Sequence, residues 1–353
     1  MLYREVLRPL LFLRDAETAH RAVLERLGHW RIGTHLAERL LNVDDPRLQS
    51  TVLGLHFRNP VGIGAGLDKH AEAVSAWRSL GFGFCEIGTV TPVPQDGNPL
   101  PRMFRLQPDE AVINRMGFNS LGADAVVANL AAAGRVGIPV GVNVGKNKLT
   151  PNEDAAADYE RAIHTLAPLA DYIAINLSSP NTPDLRALQK PELVQSLVRR
   201  CVQAAQPGQP VLLKVAPDFA PGELEETVAA ALEGGAAGII ASNTTVTRQG
   251  LRSVALAAET GGLSGKPLRE MATATVRRVF RVTRGRVPII GVGGIASAED
   301  AYEKILAGAN LVQVYTGLIY EGPTLAAKIN RGLVGLLERD GLANVAAAVG
   351  LDA

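Results

Sequence analysis

Apolar and polar positions in this chain follow two different periods. Near the start, Leu2, Val6, Leu10 and Leu13 recur at helical spacing, as do His20, Val23, Leu24 and Leu27. Asp15 stands where it can cap the second of these helices, and Ile32, Leu36 and Leu40 suggest a third. Residues 42–46 read as a linker. Short strand-like segments at 51–53 and 55–57 flank Gly54 and suggest a small hairpin. A regular rhythm then sets in. Apolar runs fall at 61–65, 84–88, 138–143, 172–176, 211–215, 238–242, 288–292 and 311–315. Helix-like stretches lie between them, at 71–80, 121–133, 155–169, 192–205, 223–233, 271–282 and 298–307. Apolar strands alternating with helices predict a parallel α/β sheet. Eight such strands are the number that closes a (β/α)8 TIM barrel. An open doubly wound sheet is the alternative.

Composition narrows the class. The 353 residues are 47% hydrophobic and 20% charged, the balance of a soluble globular chain. A net charge of +1 gives no reason to expect nucleic acid. Cys85 and Cys201 are far apart and form neither a disulfide framework nor a metal pattern, which suggests a reducing compartment and no protein-held metal. No secretory cleavage pattern is visible, and the apolar run at 9–13 is too short to span a bilayer. Arg4, Arg8 and Arg14 accompany the first apolar stripe. Such a helix either lies on a membrane surface or packs on the main domain. Its charges nearly balance, so a polybasic anchor is not supported.

The chemistry collects at the ends of the apolar runs. The run 172–176 breaks into Leu177-Ser178-Ser179-Pro180-Asn181-Thr182-Pro183, where the prolines rule out a continuing central strand. The other runs likewise stop at glycine, lysine or small polar residues. In a barrel these ends meet at one face, which predicts a shared ligand site. Gly291-Val292-Gly293-Gly294 and Tyr315-Thr316-Gly317 follow the last two runs, where barrels often bind phosphate with bare backbone N–H groups. Gly261-Gly262-Leu263-Ser264-Gly265 is a further glycine-rich loop that could approach the same group. Lys69 and Lys214 end strands, and a lysine aimed into a barrel mouth is costly without an anion. Either could form a Schiff base, hold a phosphate or stabilise a reduced cofactor. Asn114, Asn176, Asn181 and Asn243 each offer a donor beside an acceptor, which suits a flat heterocycle edged with N–H and C=O groups.

Four motifs together carry a resemblance: Ala65-Gly66-Leu67-Asp68-Lys69, Asn114-Arg115-Met116-Gly117-Phe118, Asn176-Leu177-Ser178-Ser179-Pro180-Asn181-Thr182 and Gly261–Gly265. Over essentially its whole length the chain resembles the dihydroorotate dehydrogenases, specifically their membrane-associated, quinone-using class. The resemblance implies an FMN-containing barrel that oxidises dihydroorotate to orotate in pyrimidine biosynthesis. It implies FMN contacts at Ala65, Gly66, Lys69, Thr89, Asn143, Asn176, Lys214, Ser242, Gly265, Gly294, Tyr315 and Thr316. Orotate would be held by Lys69, Asn114, Arg115, Met116, Gly117, Phe118, Asn176, Asn181, Asn243 and Thr244. Ser179 matches the catalytic base, where the soluble class carries cysteine. Serine is a poor base unaided, so a relay is needed, and the resemblance places Thr182 and Phe118 at its border. Ser242 and Thr316 depart mildly, since family members often have threonine and serine there; both swaps keep a hydroxyl. His20, Arg105 and Tyr315 match positions that line the quinone site. The expected organisation is a helical membrane-associating segment at 1–45 ahead of an FMN- and orotate-binding barrel at 46–353. The expected partners are ubiquinone or menaquinone and the cytoplasmic face of a bacterial membrane, with the protein a monomer.

Overall fold

A computed structural model describes residues 2–30, 33–182 and 184–353. Ile32 and Pro183 lie outside the described residues. Eight parallel strands close a barrel, in the order Val61–Ile63, Phe84–Val90, Val140–Val144, Tyr172–Asn176, Val211–Val215, Gly238–Ala241, Ile289–Val292 and Leu311–Val314, with the last pairing back to the first. All eight coincide with the predicted apolar runs. The runs are continuous rather than alternating because both faces of the sheet are covered. Cys85, Ile87, Ile173, Ile175, Leu213 and Ile239 face the surrounding helices and join the main core. Residues of the other parity point inward. Phe84, Tyr172, Leu212, Ile240, Ile290 and Leu311 fill one end of the barrel with Phe57 from the predicted hairpin. Phe57 and Phe84 meet edge to face with ring centroids 5.3 Å apart.

The helices follow the prediction with adjusted ends. Glu223–Glu233 runs as expected, whereas the helix expected at 71–80 covers only Val74–Ser79. The reason is Asp68. Its buried carboxylate accepts the backbone N–H groups of Glu72 at 2.8 Å and Ala73 at 3.0 Å, and the Trp77 indole N–H at 3.1 Å. That grip holds the preceding residues in a non-helical turn.

One feature is new. Met103–Leu106, Ala111–Asn114 and Gly262–Gly265 form a three-stranded antiparallel sheet. The glycine-rich loop expected at 261–265 is thus mostly a strand. Glycine is required there by close approach: a Cβ on Gly262 would stand 1.9 Å from the Thr244 hydroxyl oxygen.

The N-terminal helices Ala16–Gly28 and Thr34–Leu41 form as expected, and the Asp15 side chain caps the former by accepting Thr18 N–H at 2.9 Å. Leu2, Leu10, Leu13, Leu36 and Leu40 are exposed, while Arg4 pairs with Glu321 and Arg8 donates to the Tyr320 carbonyl at 3.2 Å. Two arginines of the first stripe therefore hold it to the barrel. Among the described residues no helix is long and apolar enough to cross a membrane.

Candidate active site

The barrel interior turns polar one layer above its apolar end. Glu86 points inward two residues after Phe84 and is fully buried. Its carboxylate accepts the side-chain N–H groups of Asn143 at 2.9 Å and Gln313 at 2.8 Å, and the Tyr172 hydroxyl at 3.2 Å. Lys214 Nζ stands 3.7 Å from the same group. This is the anion that a lysine in a barrel mouth requires. The next layer is a linked set of amides and hydroxyls. Asn143 Oδ1 accepts the Thr89 hydroxyl at 2.5 Å, and Asn176 Nδ2 donates to Thr89 Oγ1 at 2.9 Å. Asn243 Nδ2 donates to Asn176 Oδ1 at 3.1 Å and to Ser178 Oγ at 2.9 Å.

Above these groups a cavity opens at the carboxyl ends of the strands. It is lined by Lys69 and Lys214, by Asn114, Asn176, Asn181 and Asn243, and by Ser179 on the broken loop. Ser179 is buried, and its Oγ accepts the Asn181 backbone N–H at 3.3 Å. Asn181 Nδ2 donates to Asn114 Oδ1 at 3.2 Å, tying this loop to the antiparallel sheet. Lys69 Nζ donates to the Asn119 side chain, and its pKa is pushed down to about 7, first by burial and then by the charge of Arg102, with Glu17 opposing. On another side lie Gly265, Gly293, Gly294 and Thr316. Gly294 has φ +72°, and a Cβ there would stand 2.4 Å from Arg269 Cα, so this turn accepts only glycine.

Comparison with known proteins gives a single answer. The family described as Dihydroorotate dehydrogenase matches residues 47–337. The chain is 51% identical to the dihydroorotate dehydrogenase (quinone) of Deinococcus deserti, with all of both chains covered. It is 50% identical to that of Deinococcus radiodurans, over 98% of this chain and 99% of the relative. Among solved structures, DHODH from Eimeria tenella in complex with ferulenol superposes with a TM-score of 0.88 at 40% identity, covering 96% of each chain. The chain belongs to the dihydroorotate dehydrogenase family.

Members of this family carry FMN, and the residues present fit it. Gln313 Oε1 is a buried acceptor on the cavity wall with no hydrogen-bond partner among the described residues. A flat heterocycle with an N–H on its edge supplies what such an acceptor lacks. The glycine turns at 265 and 293–294 leave backbone open to a phosphate.

The structure brings most of the predicted residues together. Ala65, Gly66, Lys69, Thr89, Asn176, Lys214, Ser242, Gly265, Gly294, Tyr315 and Thr316 line the cavity, as do Asn114, Met116, Gly117, Phe118, Asn181, Asn243 and Thr244. Two do not line it. Asn143 lies behind Thr89 and Asn176, while the Arg115 side chain turns to Glu259 and stacks over the Phe104 ring at 4.6 Å. The three quinone candidates are spread out. Tyr315 lines the main cavity and donates to the Gly66 carbonyl at 3.3 Å. His20 lines an adjoining cavity that shares Lys69 and Met116 with the first. Its ring lies 2.6 Å from the Leu67 carbonyl, and burial lowers its pKa. Arg105 stacks over the Phe12 ring at 4.5 Å and donates to the Leu11 and Arg14 carbonyls, so it ties the first helical stretch to the antiparallel sheet.

Sequence reasoning missed Glu86, Gln313 and Asn98. Glu86 had a signal, since it is a lone charge at the inward parity of an apolar run. Asn98 had none. Its amide donates to the carbonyls of Arg115 and Asn181, each at 3.0 Å, and so joins the two loops that would hold orotate.

Proposed function

We propose that this protein oxidises dihydroorotate to orotate with FMN as its redox cofactor and a membrane quinone, ubiquinone or menaquinone, as final acceptor. The observation that carries the reading is Ser179, buried in one cavity with Lys69 and the amides Asn114, Asn181 and Asn243. Lys69 supplies a positive charge for the substrate carboxylate, and the amides pair with the N–H and C=O edges of the pyrimidine. When bound, FMN would supply the acceptor for the hydride that leaves C6. Ser179 Oγ takes the proton from C5. A neutral hydroxyl must pass that proton on, and Thr182 Oγ1, three residues along the same loop, is buried with no partner among the described residues. Both residues stand clear of water, which strengthens each polar contact to the substrate.

Residues 1–45 serve as the membrane-associating segment and 46–353 as the barrel in this reading. The exposed leucines of the first and third helical stretches support it, since a face so apolar gains free energy on a lipid surface. The seat is peripheral, on the cytoplasmic face of a bacterial membrane, and the protein acts as a monomer.

The decisive test is spectroscopic. Dihydroorotate added anaerobically should bleach the flavin, and a soluble ubiquinone analogue should restore its colour where fumarate and NAD do not. Arg105→Ala should slow the recovery and spare the bleaching. Absence of bleaching removes the substrate; recovery with fumarate or NAD removes the quinone; equal damage to both steps removes Arg105 from the quinone site.

Lys69 makes the binding step pH-dependent. With its pKa near 7 in the substrate-free protein, it is charged below that pH and increasingly neutral above it. A carboxylate prefers the charged form, so orotate affinity should fall as pH rises from about 6 to about 8. Lys69→Met should weaken binding at the lower pH and flatten the profile. Titration calorimetry checks this, and an affinity that stays constant in the unaltered protein would refute it.

A further inference from the structure

The loop that carries Ser179 is held by a side chain outside the cavity. Arg186 lies in the short helical turn Leu185–Gln189 that follows the loop. Its Nε donates to the Ser178 carbonyl at 3.1 Å, and its Nη2 donates to the Thr244 carbonyl at 3.4 Å. The same Nη2 stands 3.1 Å from Asp218 Oδ2. Asp218 is itself fixed, since its other oxygen accepts the Val246 N–H at 3.2 Å and the Thr245 hydroxyl. One guanidinium thus spans the segments that follow the fourth, fifth and sixth barrel strands. Asn243 Nδ2 in turn holds the Ser178 hydroxyl at 2.9 Å. Ser178 is gripped by its main chain and its side chain at once.

We propose that Arg186, anchored by Asp218, is a positioning residue that sets the direction in which Ser179 presents its hydroxyl to C5 of the substrate. This inference rests on the function proposed above. The planar fork of arginine is what the geometry needs, because its nitrogens reach two carbonyls and a carboxylate together. A lysine has one nitrogen and cannot span all three. With the Ser178 carbonyl released, the peptide that leads into Ser179 loses its main-chain anchor and keeps only the hold on the Ser178 side of it. A displacement of about 1 Å at a reacting group can cost on the order of 10²-fold in rate.

The test uses the holoenzyme with bound FMN confirmed by its spectrum. Anaerobic bleaching is followed by stopped flow with dihydroorotate deuterated at C5 or at C6. Arg186→Lys should slow bleaching about 10-fold or more, a fraction of the 10²–10⁴-fold that a general base supplies. Its C5 isotope effect should rise above that of the unaltered enzyme while the C6 effect does not, because only proton removal is impaired. Quinone-driven recovery should be unchanged. A merely structural role would leave the ratio of the two isotope effects where it was. Asp218→Asn loosens the same guanidinium without removing it and should show the same pattern more weakly, which keeps the test open if Arg186→Lys does not fold. Bleaching at the unaltered rate, or slowing with no selective rise at C5, overturns the positioning role. An unaltered enzyme that dihydroorotate fails to bleach overturns the underlying function instead.

Discussion

Ser179→Ala is expected to slow anaerobic bleaching by dihydroorotate on the order of 10²–10⁴-fold, the range a positioned general base contributes. Flavin content should stay normal, because Ser179 takes no part in the Glu86 network or the glycine turns. The loop should also keep its shape. Among the described residues the one hydrogen bond lost is from Asn181 N–H at 3.3 Å, while the Ser178 and Asn181 contacts that fasten the loop remain. The effect should therefore fall on the rate of proton removal more than on substrate affinity, since Lys69 and the amides Asn114, Asn181 and Asn243, the groups proposed to hold the pyrimidine, are unaltered. Stopped-flow absorbance measures the rate, and equilibrium titration with orotate measures the affinity. Bleaching near the unaltered rate would remove Ser179 as the base. A loss confined to orotate affinity would recast it as a binding group.

Most of the fold was legible, for physical reasons that differ between elements. The barrel strands are buried on both faces, and burial writes an uninterrupted apolar run that is hard to mistake. Their ends were legible because a strand that stops at Asn176 and turns polar, or that carries Lys214 one residue before its end, has no packing reason to do so. The antiparallel sheet was hidden. Gly262–Gly265 carries too few side chains to show a period of two, and its conformation is dictated by the partner strand Ala111–Asn114 and by Thr244 behind it. The partition of roles among the polar residues was hidden as well. Asn143 and Asn176 look equivalent in sequence, yet one lies behind the cavity wall and the other on it. Arg115 sits inside one of the four motifs that carry the resemblance and faces away. Asn98 shows the reverse, a residue without any motif whose amide joins two loops. Spacing reports which element a residue occupies; only the assembled packing reports which side of the wall it meets.

Glu86 sharpens that distinction into the last prediction. Glu86→Leu should destabilise the protein by about 3–5 kcal/mol, the usual cost of leaving one member of a buried ion pair behind. Leucine is a volume-compatible residue for an inward strand position, so the loss is electrostatic rather than a cavity. Lys214, whose side chain is 6% exposed, would lose the carboxylate 3.7 Å away, and the Asn143, Tyr172 and Gln313 donors would lose their acceptor. The double variant Glu86→Leu with Lys214→Met removes both charges and should recover a large part of the loss, even though Lys214→Met alone destabilises by stranding the carboxylate. Urea unfolding of the three variants measures the coupling. If the double variant is as unstable as the sum of the singles, Glu86 acts on its neutral neighbours alone. Recovery would instead establish that Lys214, one of the cationic groups facing the proposed flavin site, is held in place by a carboxylate that the ligand never touches.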